Sequence, residues 1–384
     1  GVTLTINEAF EAGLYWVFSG NGSVSFGDGS VTEVYPEWFG ADNTGNNDSY
    51  DALYRAFNSG KNVCFVSGGS YISSANIQVT GLSDVIIDGN DSTLTYQYLQ
   101  GNPAEDFKGA IELIDCSNVV VKDMIFIYDG LDGPYEWPTN SYDGVLSGVY
   151  VKTTSGGASN NIKLINIEAK LFNYAGIRID GYSNNYCVTN LVIDKCYCHH
   201  NRVAGVRFAN TDRLTIQNSR FDNNGKTDDF GTGYGVAGLN GTYTYRTSIL
   251  NNSFTDNVRK AIDFHSYNEE TVITGNIVSG TTLYAIYFDN DMASTVISNN
   301  NINITLPICD AMYYLGPIWL GSYYDNFSAS KTNTVIFSNN IVAINAANIS
   351  PSATIDNLIE LGMGNAVMRF FIKNNVFYYS SGTK

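Results

Sequence analysis

Gly148-Val-Tyr-Val-Lys152, Gly176-Ile-Arg-Ile-Asp180, Gly205-Val-Arg-Phe-Ala209, Gly235-Val-Ala-Gly-Leu239, Ala261-Ile-Asp-Phe-His265 and Ala285-Ile-Tyr-Phe-Asp289 are copies of one short unit. Their starting positions differ by 28, 29, 30, 26 and 24 residues. Each is a small residue followed by alternation, the pattern of a strand with one apolar and one polar face. Val149/Val151, Ile177/Ile179, Val206/Phe208, Ile262/Phe264 and Ile286/Phe288 then share the inner face. A second series follows in phase. Ile193, Ile216, Ile249, Ile273 and Ile297 lead, three residues later, to Cys196, Ser219, Asn252, Asn276 and Asn300, and the pattern returns as Ile336/Asn339 and Ile372/Asn375. Amides stacked at equivalent turns can hydrogen-bond along the stack, and Asn tolerates the left-handed backbone such turns need. Strands repeating at this period with no helical pattern predict an all-β, single-stranded parallel β-helix, whose coils bury their apolar faces only by stacking on one another. A leucine-rich repeat would need a Leu consensus and a helix per repeat, and neither is present.

The rest of the chain agrees with this reading. Of 384 residues, 44% are hydrophobic but only 15% are charged, with 37 Gly and 27 Tyr against 7 Pro. That mix excludes a disordered chain and a coiled coil. A net charge of -16 and the lack of any Lys/Arg run argue against nucleic acid as a partner. No run of about 18 apolar residues is present, and Gly1-Val2-Thr3-Leu4 does not begin a basic segment with an apolar core, so no membrane insertion is expected. Cys64, Cys116, Cys187, Cys196, Cys198 and Cys309 are scattered, which does not suggest a disulfide framework. Cys196 and Cys198 fall on one face and are expected to be buried. One amphipathic helix is predicted, Ser49 to Phe57, with Ala52, Leu53, Ala56 and Phe57 on one side and Asp48 or Ser49 as its cap. It is expected to plug the N-terminal end of the solenoid, giving a lead-in segment and capping helix over 1–60 and the β-helix over 61–384. An aromatic and glycine-rich stretch near 306–334 is expected to be an insertion loop. The last rung, Phe371 to Phe377, leaves little sequence to cover an open end, so a homotrimer is expected.

Val34-Tyr-Pro-Glu-Trp-Phe-Gly-Ala41, then Asp42-Asn-Thr-Gly-Asn-Asn-Asp48, the helix and Val63-Cys-Phe-Val-Ser-Gly-Gly-Ser-Tyr-Ile72 resemble the beginning of the pectate-lyase-like right-handed β-helix superfamily. Phage tailspike depolymerases are prominent in it. The resemblance implies a right-handed solenoid, often trimeric, at a virion tail or outside the cell, that binds or cleaves a bacterial polysaccharide. Arg259-Lys-Ala-Ile-Asp-Phe-His265 is similar to the Gly-hydrophobic-Asp-Pro-His segment of alginate epimerases and related lyases. Asp263 and His265 match that segment's Asp and His; Phe264 replaces its Pro and Lys260 its Tyr.

Alternation places Tyr150/Lys152, Arg178/Asp180, Arg207/Ala209, Ala237/Leu239, Asp263/His265 and Tyr287/Asp289 on the outward face, a polar groove in a charge-poor chain. Asp263, His265 and Asp289 are the candidate catalytic residues. Arg178, Asp180, Arg207, Arg259, Lys260, Tyr287 and Trp319 are the candidate substrate-binding residues. Further loop aromatics, including Tyr135, Trp137, Tyr142, Tyr313, Tyr314, Tyr323 and Tyr324, suit the apolar faces of sugars. The overall negative charge favours a neutral or sparsely charged polymer. Asp263 and Asp289 should be diagonal neighbours about 8 Å apart at Cα, inside the window of about 6.5–9.5 Å of an inverting glycosidase. On that reading one carboxyl protonates the leaving oxygen, the other activates water, His265 tunes the pair, and Arg207, Arg259 or Lys260 holds substrate; hydrolysis is favoured. The rivals are β-elimination or epimerisation at a uronic acid with His265 as base, and glycan binding without catalysis. No cofactor or metal is expected: His199-His200 lacks a third ligand, and the Asp228-Asp229 loop lacks calcium-loop spacing.

Overall fold

The structure, a computed structural model, describes residues 2–97, 108–129, 146–182, 187–225, 237–289, 292–306, 317–321, 333–345, 359–361 and 368–380. The described residues between 34 and 380 build a right-handed parallel β-helix in which strands pair in parallel with their equivalents one coil before and after. On the sheet that carries the repeat unit, Ile111, Val149, Ile177, Val206, Leu239, Ile262 and Ile286 form one inner column. All of them are buried. Burying one such side chain is worth about 1.5–3 kcal/mol, and only stacked coils can bury it.

The second inner column contains a substitution that hides the repeat. Phe208, Phe264 and Phe288 lie on successive equivalents, but Gly241 occupies the rung between the first two. A Cβ there would come within 2.4 Å of Phe208 and 3.0 Å of Phe264. Phe208 and Phe264 meet across the glycine, ring centroids 5.8 Å apart. The rung therefore runs Gly238-Leu-Asn-Gly-Thr242, three residues later than the sequence pattern suggests. Ala237 and Leu239, expected outside, are buried, and Leu239 pairs with Val206 and Ile262 in the core.

The Asn ladder forms, with one correction. Asn252, Asn276, Asn300, Asn340 and Asn375 stack so that each Oδ1 accepts from the preceding residue's backbone N–H at 2.8–3.0 Å and from its side-chain amide at 3.0–3.1 Å. Asn340, not Asn339, is the member. Asn339 sits just before it with φ 56°, as Asn251, Asn299 and Asn374 do at φ 55°, 57° and 54°. The Asn-Asn doublets thus divide the labour: the first turns the chain, the second ties the coils together. A shorter ladder, Asn201, Asn224 and Asn257, closes another corner and has no counterpart in the sequence reading.

A helix spans Tyr50–Phe57 and buries the expected face. Asp48 Oδ1 accepts from the Tyr50 N–H at 3.1 Å, while Ser49 turns away to accept from Asp42. The helix packs against Pro36–Phe39 and the Ile77–Thr80 strand. Within the stretch expected to be an insertion, Ile318–Gly321 is a regular rung paired with Tyr284–Asp289; 307–316 and 322–332 lie outside the described residues. Cys116, Cys196 and Cys198 are buried free thiols, and burial pushes the Cys196 thiol up to about 12. A thiol reagent is therefore expected to leave these three unmodified in the native protein and to label them after denaturation, as mass spectrometry would read.

Candidate functional site

Two outward columns run along the same sheet. The first is Glu112, Tyr150, Arg178, Arg207, Asn240, Asp263, Tyr287 and Trp319; the second is Lys152, Asp180, Ala209, Thr242, His265 and Asp289. Their side chains leave the core but are not freely solvated: Glu112 and Asp263 are 0% exposed and Arg178 5%, and Lys260, at the start of the Asp263 strand, is 3% exposed. Buried charges must be paired, and most of these are. Lys152 pairs with Glu112 at 2.8 Å, and Arg178 with Asp180, which also accepts from the Tyr150 hydroxyl at 2.9 Å.

The densest cluster lies on the Lys260–Glu269 strand. The Lys260 ammonium is 2.9 Å from Asp263 Oδ1 and 3.9 Å from the centre of the Tyr287 ring. Asp263 Oδ2 accepts from Asn240 Nδ2 at 2.9 Å and lies 2.9 Å from His265 Nε2. On its other nitrogen, His265 Nδ1 faces Asp289 Oδ2 at a looser 3.5 Å. The His265 side chain is 23% exposed and Asp289's 14%, so the open side of the cluster is Nδ1 and its carboxylate. Tyr287 stacks on Trp319 at 6.1 Å, extending the wall by a rung.

The electrostatics assign different states to the members. Burial pushes the Asp263 carboxyl up, but Lys260 and His265 outweigh it and hold the group well below the usual carboxylate range. Burial lowers the Lys260 ammonium, with Asp263 only partly compensating. Burial also works against His265⁺, yet Asp263, then Asp289, raise its pKa above the ordinary 6.5. A raised folded pKa stabilises the protein below the unfolded value, and that contribution is lost as pH rises through the folded value. The melting-temperature advantage of wild type over His265→Gln should therefore be largest below about pH 6.5 and shrink at higher pH. A constant advantage would show that the ring is not charged in this cluster.

Of the sequence candidates, Lys260, Asp263, His265, Asp289, Tyr287 and Trp319 come together. Arg259 adjoins Lys260 and is half-buried. Arg207 is two rungs before Asp263, and among the described residues its guanidinium has no carboxylate partner, packing instead over Tyr174 at 5.5 Å. Arg178 and Asp180 are three rungs, about 14 Å, from His265. Asn240 and Glu112 are the residues that sequence reasoning missed; the first was hidden by the shifted rung. Tyr135, Trp137, Tyr142, Tyr313, Tyr314, Tyr323 and Tyr324 lie outside the described residues. No cluster of three metal-ligating side chains is present among the described residues.

The family model for the "Right handed beta helix region" matches residues 139–302, in keeping with the right-handed parallel β-helix of the structure. Three solved structures show how varied that class is. The surface protein and adhesin PfbA of Streptococcus pneumoniae superposes with a TM-score of 0.57 at 13% identity, over 92% of this chain and 99% of that one. The Dettilon tailspike protein gives 0.53 at 15% identity, covering 89% and 68%. The A-module of the mannuronan C-5 epimerase AlgE6 of Azotobacter vinelandii gives 0.50 at 14%, covering 92% and 100%. No curated protein matches the sequence. At such identities the likeness is one of fold, and function must be argued from the site.

Proposed function

We propose that this protein is an extracellular or virion-tail enzyme of the tailspike kind that cleaves a bacterial polysaccharide by proton transfer through His265. The observation that carries this is the asymmetric clamp on the imidazole. Asp263 is fully enclosed, held ionised and bonded to Nε2, which leaves Nδ1 as the nitrogen open to a ligand. A buried carboxylate that orients a histidine while the other ring nitrogen moves the proton is a recurring acid–base arrangement.

The same enclosure favours elimination over the hydrolysis suggested by the carboxylate spacing. An inverting pair needs a sugar and a water between its carboxyls. Here the His265 ring fills the gap between Asp263 and Asp289, and Asp263 is too acidic and too buried to protonate a leaving group. In elimination at a uronic acid, Nδ1 takes the proton from the carbon beside the sugar carboxylate. The bond to the leaving oxygen then breaks, a carbon–carbon double bond forms, and the imidazolium, steadied by Asp263 and Asp289, returns the proton to that oxygen. Arg207, unpaired among the described residues, is the group to hold the sugar carboxylate. A polymer with widely spaced uronates fits both that cation and the protein's net charge of -16. Because Nδ1 must be unprotonated to act, kcat/KM should rise with pH through a value above 6.5, and Asp289→Asn should move that limb down. Incubation with capsular and exopolysaccharides should give shorter chains that absorb in the ultraviolet as unsaturated uronates; a size shift without that chromophore would restore hydrolysis, and no shift would leave a glycan-binding solenoid.

A further inference from the structure

Far from the groove, the N-terminal segment folds back over the Tyr50–Phe57 helix and leaves a cavity of about 640 Å³, lined by Trp16, Asn21, Phe39, Asp51, Tyr54 and Arg55 among others. We propose that this cleft is a second carbohydrate site that holds one neutral pyranose unit. The proposal does not depend on the chemistry assigned to His265.

The platform is Trp16. Its indole N–H donates to the Phe18 carbonyl at 2.9 Å, and one face lies on Gly40, where a Cβ would come within 3.0 Å of the ring. Gly40 has φ 98°, a backbone few other residues adopt, so the close approach is built into the turn. The ring is thereby fixed while 63% of the residue remains exposed, and Tyr54, also lining the cavity, is 42% exposed. A large aromatic held rigid with an open face has little ordering entropy left to lose on binding. Sugars present an apolar C–H face to such rings and hydroxyls to the planar polar groups around them. Those groups are present. Asp51 and Asn21 make no side-chain hydrogen bond or ion pair among the described residues. The Arg55 guanidinium is set by the Phe18 and Gly22 carbonyls at 3.3 and 3.4 Å and by the Phe39 ring at 5.1 Å. With one carboxylate, Asp51, and one guanidinium, Arg55, in its lining, the cavity carries no net charge, which suits a neutral sugar. The volume falls in the usual range of small-ligand sites, about 300–1,000 Å³.

The cleft is separate from the groove. The helix packs on the Ile77–Thr80 strand, six rung spacings before Lys260–Glu269, or about 29 Å along the axis. A polymer held at both places would gain effective concentration at the groove.

The chain has four tryptophans, and their indole N–H signals in a proton–nitrogen correlation spectrum give a local readout. Neutral gluco-, manno- and galacto-hexasaccharides are titrated separately, with Trp16→Ala identifying the Trp16 signal. At least one sugar should shift that signal saturably, and Asp51→Ala should weaken this binding about tenfold while leaving the melting temperature unchanged. Calorimetric titration with the same sugar should show a similar or larger loss in Trp16→Ala. The proposal is overturned if no hexasaccharide moves the Trp16 signal, if Asp51→Ala leaves the affinity unchanged, or if a proline-rich peptide, which can also stack on tryptophan, binds there and the sugars do not.

Discussion

Replacing His265 with alanine is expected to lower turnover on the cleaved polysaccharide by about 10²–10⁴-fold, the usual worth of a positioned acid–base group. The side chain lies at the open edge of its cluster, so the circular dichroism spectrum should not change. Asp263→Asn should also lose activity, but for a different reason and with a different signature. It removes the counter-charge of Lys260, whose side chain is 4% exposed, and breaking a buried pair from one side costs about 3–5 kcal/mol. Denaturant unfolding well above pH 6.5, where the imidazolium contributes least, should therefore separate the two variants: His265→Ala nearer wild type, Asp263→Asn several kcal/mol weaker. Equal activity in wild type and His265→Ala would remove this groove as the catalytic site.

The second large effect concerns the spine. Asn276→Ala deletes the oxygen that accepts from both the Asn252 backbone and its side-chain amide, and the amide that donates to the Ile249 carbonyl. Asn252 and Asn276 are each 1% exposed, so the orphaned groups cannot recover water. At about 1–3 kcal/mol for each buried group left unpaired, the loss should exceed about 3 kcal/mol. Truncation at an exposed contact between coils, Thr189→Ala, whose hydroxyl donates to Asn160 Oδ1 at 2.8 Å, should cost under about 1 kcal/mol. Similar shifts of the unfolding midpoint for both would show that the stacked amides are not what joins the coils.

The contrast between these residues also explains how far the sequence could be read. Alternation with a period of two decided the strands, and the recurring Asn decided the stack, because both are local patterns that every coil must repeat. Two phases slipped. At 235–242 the rung carries Gly241 where its neighbours carry Phe208 and Phe264, so the apolar mark is missing and an upstream glycine took its place. At 335–340 the run Val335-Ile336-Phe337 is apolar throughout, so alternation cannot choose the inward residue, and the doublet Asn339-Asn340 offers two ladder members; only the left-handed turn at Asn339 decides. In the groove, the pairing of His265 with Asp289 across rungs followed from the repeat length alone. The burial of Asp263 did not, because it depends on Lys260 folding back and on Asn240 from a rung whose phase was hidden. On the mechanism proposed for His265, that burial makes Asp263 an orienting group rather than an acid, and with it changes the favoured reaction.

The most direct test of this account is the mass of the fragments. Elimination adds nothing across the broken bond, so the products of wild-type cleavage should sum to the mass of the starting chain, each new non-reducing end lacking the elements of water. Fragments heavier by one water for every bond broken would show hydrolysis and contradict the proton-abstraction mechanism assigned to His265.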